Sequence, residues 1–212
     1  MPRRYHPLSP EQYSNLRIRS RGYLPHWEVD ESIYFITYRL HDSLPEQVAR
    51  MLLDDRRRLR KALMAEGHVP GRVLENQVAA LFGRRLDQEL HKGYGQCHIR
   101  DPRIASTLMD NLLHHSGPEG RYELIAASAM PNHVHVLVLI HDGRELANIV
   151  HSWKSFTSKQ ANRILGRRGI FWQQEYFDRV VRNADDLEET RRYVLENPVM
   201  AGLRDWSWLW PR

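Results

Sequence analysis

The segment His133-Val134-His135-Val136-Leu137-Val138-Leu139-Ile140 constrains the fold of this chain more than any other. Residues 136–140 are apolar without a break, which is typical of a β-strand buried on both faces. Alternate side chains of a strand share a face, so His133 and His135 point to one side of the sheet while Val134 and Val136 point to the other. Histidines that lead into such a strand need polar partners, and a bound metal ion supplies one. The alternative is a solvent-facing polar pair on a half-buried strand.

The segments around this strand predict an α+β fold. Residues 122–130 and 133–140 are strand-like runs separated by Pro131-Asn132, so they predict a β-hairpin. Asp101 is the predicted N-cap of one helix, and Pro198 is predicted to end another. Further strands are predicted at residues 32–40 and within 170–181, and helices at residues 102–115, at 146–165 and from Asp185 to Glu196 or Asn197. This order predicts a ferredoxin-like antiparallel sheet with helices on one face, plus a C-terminal helix that bears a tyrosine.

Two segments extend this core. Residues 1–30 form a basic and aromatic N-terminal arm, for which we expect irregular structure, and residues 31–212 form a single domain. Within that domain a helical insertion is predicted at about residues 45–96, with one helix ending near Glu66 and a second running from about Leu74 to His91. At 212 residues the chain is long enough for one domain with a substantial core.

The composition favours a polyanionic partner. Lys and Arg number 31 against 26 Asp and Glu, and the net charge of +5 suits nucleic-acid binding, although such a surplus also occurs in other soluble proteins.

Cys97 is the only cysteine, which excludes an intramolecular disulfide and cysteine-rich zinc sites. No apolar run approaches the roughly 18 residues of a membrane span, and the N-terminus has no signal-peptide segment. We therefore expect a cytoplasmic, nucleoid-associated protein.

Tyr193 and Asn197 are four residues apart, so both lie on one face of the last predicted helix. A phenol with a pKa of about 10 is a poor nucleophile at neutral pH, but a divalent cation on a scissile phosphate assists its attack by neutralising developing charge. His133, His135 and the Asn197 carbonyl oxygen are the candidate ligands, a mixed set that suits Mg²⁺ or Mn²⁺, with Mn²⁺ better matched to imidazole. The alternative for Tyr193 is a half-buried ring with its hydroxyl in water.

Histidine-triad phosphate-transfer enzymes also carry alternating histidines at a strand end. The third position of that pattern is Leu137 here, so the pattern is incomplete.

Two motifs, one after the other along the chain, resemble those of a known family. Met130-Pro131-Asn132-His133-Val134-His135, followed by the apolar strand, resembles the His-hydrophobic-His motif of the single-tyrosine transposases related to IS200 and IS605 elements, in the HUH endonuclease superfamily. Tyr193-Val194-Leu195-Glu196-Asn197-Pro198-Val199, then Ala201-Gly202-Leu203, is similar to the tyrosine helix of their REP-associated branch. Two segments before that helix also match this branch, namely Trp172-Gln173 and Phe177-Asp178-Arg179. The resemblance covers most of residues 21–210.

The resemblance implies a fold and an activity. The fold is ferredoxin-like, with the histidines on its central sheet, and the activity is metal-dependent cleavage of single-stranded DNA at folded palindromic repeats through a 5′-phosphotyrosine link. His133 and His135 match the metal-binding histidines, Tyr193 matches the nucleophile, and Asn197 occupies the position of the third, amide-bearing ligand. The long segment at about 45–96 departs from the compact members and leaves the substrate contacts open.

The resemblance also bears on the branch of the family and on the oligomeric state. REP-associated members resemble monomeric, immobile housekeeping proteins, whereas insertion-sequence relatives act as dimers. The Asn197-Pro198-Val199 sequence and the single tyrosine favour the REP-associated branch, and with it a monomer over a homodimer. One alternative is a domesticated protein that binds DNA hairpins without cutting them. Another is a replication or conjugation initiator, which the short length disfavours.

The predicted DNA contacts are basic side chains that would neutralise phosphates. They are Arg3, Arg4, Arg19 and Arg21 in the arm, and Lys154, Lys159, Arg179 and Arg182 near the two motifs. For Trp206, Trp208 and Trp210 in the tail, packing is favoured over base stacking.

Overall fold

A computed structural model describes residues 17–20, 25–28, 32–68 and 71–211, with side chains from Ser32 onward except that of Arg72. The strands are β1 (Arg17–Ser20), β2 (Pro25–Glu28), β3 (Ile33–Arg39), β4 (Tyr122–Ala129), β5 (His133–Ile140), β6 (Phe177–Val180) and β7 (Leu209–Trp210). The α-helices are α1 (Glu46–Ala65), α2 (Arg72–Leu90), α3 (Pro102–His114), α4 (Leu146–Ile164) and α5 (Ala184–Met200), with a 3₁₀ turn at His98–Arg100.

Five strands form one antiparallel sheet in the order β6-β3-β5-β4-β7. The apolar strand β5 lies at its centre, as its sequence predicts for a strand covered on both faces. The register between β3 and β5 places Thr37 opposite His135 and Arg39 opposite His133. Helices α3 and α4 are the two crossovers of a ferredoxin-like fold, so the predicted α+β class is confirmed.

The sheet separates two hydrophobic cores. On one face, Tyr38 and Val136 pack with Leu108 of α3 and Trp153 of α4. The Trp153 indole donates a hydrogen bond to the Tyr122 hydroxyl at 2.9 Å, which satisfies a polar group inside this core. On the other face, side chains of β3 and β5 pack against α1, α2 and α5; among them are Phe35, Leu137, Leu52, Phe82 and Val194. The predicted insertion and the tyrosine-bearing helix therefore cover the face to which the histidines point.

The helix ends agree with those predicted from the sequence except at Pro198. Asp101 caps α3 as predicted, because its carboxylate accepts a hydrogen bond from the Arg103 amide at 2.9 Å. The prediction that Pro198 ends the last helix is wrong, since α5 continues to Met200. Proline lacks only its own amide donor, and the carbonyls of Asn197 and Pro198 still accept from the amides of Ala201 at 3.0 Å and Leu203 at 2.8 Å. No helix in the described part of the chain is long and apolar enough to cross a membrane.

The two ends of the described chain contain short strands. β1 and β2 pair antiparallel, with Arg17 opposite Glu28, so the expectation of irregular structure is wrong for these two segments of the arm. In the tail, the Trp206 indole donates to the Ala129 carbonyl at 2.7 Å, while Trp208 and Trp210 are partly buried against the first core. Packing of the three tryptophans is thus confirmed.

Candidate metal centre

The imidazoles of His133 and His135 meet at the start of β5. Their Nε2 atoms are 3.0 Å apart, and the two side chains are 1% and 0% exposed. The opposite ring nitrogen of each histidine has a polar partner: Asn132 Oδ1 lies 2.7 Å from His133 Nδ1, and Thr37 Oγ1 lies 2.8 Å from His135 Nδ1. The Nε2 atoms are therefore the ones that face a common point.

Asn132 fixes the protonation of His133. Its amide nitrogen donates to the Leu90 carbonyl at 3.0 Å, so its carbonyl oxygen must be the atom that faces His133. An oxygen of this kind only accepts, and His133 Nδ1 therefore carries the proton and leaves a lone pair on Nε2. Burial lowers the pKa of His135 to about 3 and that of His133 well below its usual range, with hydrogen bonding to Asn197 opposing the shift in both. Both rings are neutral at neutral pH, which is the form that binds a metal.

Asp87 of the insertion helix α2 completes a group of three candidate ligands. Ligand atoms of Asp87, His133 and His135 all lie within 4.8 Å of one another, and Asp87 is 3% exposed. Asp87 Oδ1 is 3.6 Å from His135 Nε2 and has no hydrogen-bond partner among the described residues. Burial raises the pKa of this carboxyl to about 7. A buried carboxylate oxygen without a donor, close to two imidazole nitrogens, fits a bound cation, which would supply its missing partner.

Asn197 lies beside the same group but has another partner. Its Oδ1 is 3.1 Å from His91 Nε2, and its amide nitrogen is buried with no hydrogen-bond partner in the described part of the chain. Its proximity to both histidines of β5 opposes the lowering of their pKa values. The structure therefore brings Asn197 to the histidines, as the sequence predicts, while its role as a ligand stays a prediction.

Tyr193 reaches this group from α5. Its hydroxyl donates a hydrogen bond to Asp87 Oδ2, so one carboxylate contacts the tyrosine with one oxygen and faces the histidines with the other. The phenol ring packs edge-on against Phe35 and His135, with centroid distances of 6.0 and 5.9 Å. Burial, together with the charge of Asp87, raises the pKa of Tyr193, so its hydroxyl is protonated at neutral pH.

Gly83 allows α2 to lie this close to the sheet. A Cβ atom at position 83 would be 3.1 Å from the ring of Phe177 in β6, tighter than an ordinary contact. Phe82 packs on the same ring at a centroid distance of 6.0 Å. Asp87 lies one helical turn after Gly83 on the same face, and the close approach carries its carboxylate to the histidines.

The predicted DNA contacts have varied positions. Arg3, Arg4 and Arg21 lie outside the described residues, as does the side chain of Arg19. Lys154 Nζ donates to the Gln173 and Gln174 carbonyls at 2.7 Å each, and Lys159 is exposed on the same helix, α4. Arg179 and Arg182 both donate to Asp186, close to Tyr193. Of the four that the structure describes with side chains, Arg179 and Arg182 lie near the candidate metal centre, and DNA binding by the whole set stays a prediction.

Asp87 and His91 were not predicted as site residues, although the sequence contains a signal for them. Asp87 of α2 and His91, which directly follows the last residue of α2 in helical geometry, are four apart and share a face, as Tyr193 and Asn197 do on α5. Acidic and imidazole groups at this spacing are common on exposed helices, so the pattern gains meaning only when the helix is known to face the histidines.

The fold and the centre together define a class. The protein is a ferredoxin-like α+β domain with a buried histidine and carboxylate cluster suited to a metal, hydrogen-bonded to a tyrosine hydroxyl. Residues 100–197, a little under half of the chain, match the sequence model of the family described as "Transposase IS200 like". This match confirms the resemblance to the IS200-like transposases that the two motifs predict.

Two solved structures are similar to the chain. One is a REP-associated tyrosine transposase bound to a REP hairpin, with 13% identity over 87% of this chain and 74% of that chain and a TM-score of 0.45. The other is described as a candidate transposase from Deinococcus radiodurans R1, with 14% identity over 84% and 95% and a TM-score of 0.33. No curated protein matches the sequence.

Proposed function

We propose that this transposase-family protein is a metal-dependent endonuclease and strand transferase for single-stranded DNA. It would act on palindromic hairpin repeats through a 5′-phosphotyrosine intermediate. The observation that carries the proposal is the shared carboxylate: one oxygen of Asp87 accepts a hydrogen bond from the Tyr193 hydroxyl, while the other lies 3.6 Å from His135 Nε2. A tyrosine that only packs has no need of this arrangement.

His133, His135 and Asp87 would hold the metal, with Asn197 beside them as the amide-bearing candidate. Held by these groups, a divalent cation such as Mg²⁺ or Mn²⁺ would neutralise the charge that develops on the scissile phosphate. Asn132 and Thr37 orient the two imidazoles from behind, through the hydrogen bonds to their Nδ1 atoms.

Tyr193 provides the nucleophilic oxygen. Its hydroxyl oxygen forms a bond to phosphorus, the bond from phosphorus to the 3′ oxygen breaks, and the 3′ oxygen leaves as a hydroxyl after taking up a proton. The phenol proton passes to an acceptor, and Asp87 Oδ2 already accepts the hydrogen bond from this hydroxyl. The phosphodiester energy is kept in the phosphotyrosine, so a second strand can be joined by the reverse step.

Within the family we favour the REP-associated branch because of the Tyr-Val-Leu-Glu-Asn-Pro-Val sequence at residues 193–199. Its substrates would be hairpins formed by palindromic repeats, and the protein would act as a monomer on nucleoid DNA in the cytoplasm. A strongly salt-dependent affinity for hairpins is expected if basic side chains bind their phosphates.

The experiment is a covalent-adduct assay. The protein is incubated with single-stranded DNA that carries the palindromes flanking its own gene, with Mg²⁺ or Mn²⁺, and adducts that survive denaturation are counted. We expect an adduct with the wild type and with Tyr94→Phe, which removes a phenol hydroxyl outside the centre, and none with Tyr193→Phe, whose hairpin binding is preserved. An equal adduct from Tyr193→Phe would reject the nucleophile. Adduct formation in EDTA would reject the metal.

The same assay tests the alternative of a non-cleaving hairpin-binding protein. Tight hairpin binding by the wild type, with no adduct in either metal, would establish that alternative instead.

A further inference from the structure

The side-chain amide of Asn197 can take two orientations in the same space. Asn197 is 0% exposed, and its carbonyl oxygen and amide nitrogen are nearly equal in size, so a half-turn exchanges the two atoms without changing the packing. One orientation offers a cation the lone pairs of the oxygen, and the other presents two N–H groups, which repel a cation. The contact that fixes this orientation therefore decides whether Asn197 can be a metal ligand.

His91 makes that contact through a hydrogen bond. His91 Nε2 lies 3.1 Å from Asn197 Oδ1, and an amide oxygen only accepts, so the imidazole must donate from Nε2. The amide nitrogen is buried and has no hydrogen-bond partner in the described part of the chain. The amide is thus held from its oxygen side, by an imidazole of the insertion.

The other neighbours of Asn197 agree with this orientation. Burial lowers the pKa of His133 and that of His135, and Asn197 opposes both shifts, as an oxygen acceptor beside the rings does. Burial and Asp87 raise the pKa of Tyr193, and Asn197 opposes that shift, as an N–H donor near the phenol oxygen does. The amide oxygen therefore lies on the side of the histidines, and the amide nitrogen lies on the side of the tyrosine.

His91 is placed to act on the centre through Asn197. It does not belong to the group of ligand atoms that lie within 4.8 Å of one another, and its ring centroid is 6.1 Å from that of His133. The carbonyl of the preceding residue, Leu90, accepts a hydrogen bond from the Asn132 amide at 3.0 Å, which ties the end of α2 to the turn before β5. The insertion therefore holds the imidazole beside the amide while leaving it out of the ligand group.

Without His91, the opposite orientation of the amide gains hydrogen bonds in the metal-free protein. The amide nitrogen would donate to the lone pair on His133 Nε2, which is the lone pair that a metal needs. The amide oxygen would then face the Tyr193 hydroxyl and compete with Asp87 for its proton. Both changes oppose the proposed site, because a cation would have to turn the amide back before it could bind.

We propose that His91 is a positioning residue of the metal centre, which holds the Asn197 amide with its oxygen beside His133 and His135 and its nitrogen beside Tyr193. This inference rests on the proposed function, in which Asn197 is a candidate ligand. The insertion at about residues 45–96 then contributes to the centre twice, with Asp87 as a ligand and with His91 as the residue that orients another ligand.

Calorimetry of Mn²⁺ binding in a double-mutant cycle tests the proposal. His91→Leu removes the donor and should weaken Mn²⁺ binding about tenfold or more, the usual effect of losing the hydrogen-bond partner of a metal ligand. His91→Gln keeps an N–H donor and should bind Mn²⁺ within about threefold of the wild type. In Asn197→Ala, which has no amide to orient, His91→Leu should cause no further loss of affinity.

His141→Leu is the matched control. His141 is also a partly buried imidazole with one hydrogen bond to a carbonyl oxygen, that of Gly120 at 3.1 Å, but it follows the far end of β5. This variant should bind Mn²⁺ like the wild type. Thermal melts in EDTA establish that all variants fold.

The tautomer of His91 provides a second measurement, made without metal. ¹⁵N NMR of the histidine side chains in EDTA at pH 8 should place the proton of His91 on Nε2, because Nε2 donates to Asn197 Oδ1. A proton on Nδ1 would overturn the assignment, since Nε2 would then have to accept from the amide nitrogen.

Additive losses of Mn²⁺ affinity from His91→Leu and Asn197→Ala would also overturn the proposal, because His91 would then act without Asn197. Wild-type affinity in a folded His91→Leu would do the same. Neither measurement records adduct formation. A wild type that binds Mn²⁺ but forms no adduct would therefore refute the proposed cleavage and leave the role of His91 standing.

Discussion

Replacing Asp87 by asparagine should change stability in opposite directions with and without metal. The wild-type carboxylate is 3% exposed, has one hydrogen bond from Tyr193, and has one oxygen without a donor, 3.6 Å from His135 Nε2. In Asp87→Asn, the amide oxygen still accepts from Tyr193, and the amide nitrogen replaces the oxygen that lies 3.6 Å from His135 Nε2. A buried charge is thus exchanged for a neutral group that keeps the hydrogen bond from Tyr193.

The magnitudes follow from these contacts. Without metal, at pH 8 where Asp87 is ionised, the free energy of unfolding should rise by about 1 to 3 kcal/mol, the usual cost of a poorly compensated buried polar group. With Mn²⁺ at about 100 times its dissociation constant, the wild type gains about 2.7 kcal/mol from binding. Loss of a carboxylate ligand should weaken Mn²⁺ binding at least tenfold, which removes at least about 1.4 kcal/mol of that gain.

The assay is chemical denaturation at pH 8 in EDTA and in Mn²⁺, with Mn²⁺ affinity measured separately by calorimetry. Asp110→Asn, at an exposed position on α3, is the matched control and should change neither quantity. A variant Asp87→Asn that is less stable than the wild type in EDTA, or that keeps the full stabilisation by Mn²⁺, would refute Asp87 as a buried ligand.

Two further substitutions test the surroundings of the centre. Asn132→Ala removes the acceptor that holds the proton on His133 Nδ1, and calorimetry should record a loss of Mn²⁺ affinity of about 10- to 100-fold; an unchanged affinity would show that the ring needs no such support. Lys154→Met tests a pH effect, because burial lowers the pKa of Lys154 from 10.5 to about 8. Between these values the unfolded chain binds a proton that the folded protein lacks, so the free energy of unfolding should rise with pH from about 8 to 10.5 through this group. Subtracting the Lys154→Met denaturation profile from the wild-type one should give that rise, and a flat difference would contradict the lowered pKa.

The sequence predicts the parts of the site that depend on local periodicity. A period of two in β5 places His133 and His135 on one face, and the spacing of four in α5 places Tyr193 beside Asn197. These features need no knowledge of how distant segments pack.

Asp87 and His91 could not be predicted in the same way. They belong to a helix whose direction across the sheet is decided by packing, through Phe82 on Phe177 and the Asn132 amide on the Leu90 carbonyl. The prediction that Pro198 ends the last helix was wrong for a different reason. The rule that a helix ends before proline describes an average free-energy cost of proline in a helix. That cost is small in the last turn here, because the carbonyls of Asn197 and Pro198 still accept hydrogen bonds.

Gly83 sets the distance between α2 and the sheet, and this distance affects residues that Gly83 does not contact. A methyl group there would meet the Phe177 ring at 3.1 Å, so the ring or α2 would have to shift by a few tenths of an ångström. A shift of α2 away from the sheet would carry Asp87 away from the histidines and widen the space between the three candidate ligands. A change at this glycine would then weaken a divalent cation held by those side chains, from a position that supplies no ligand itself.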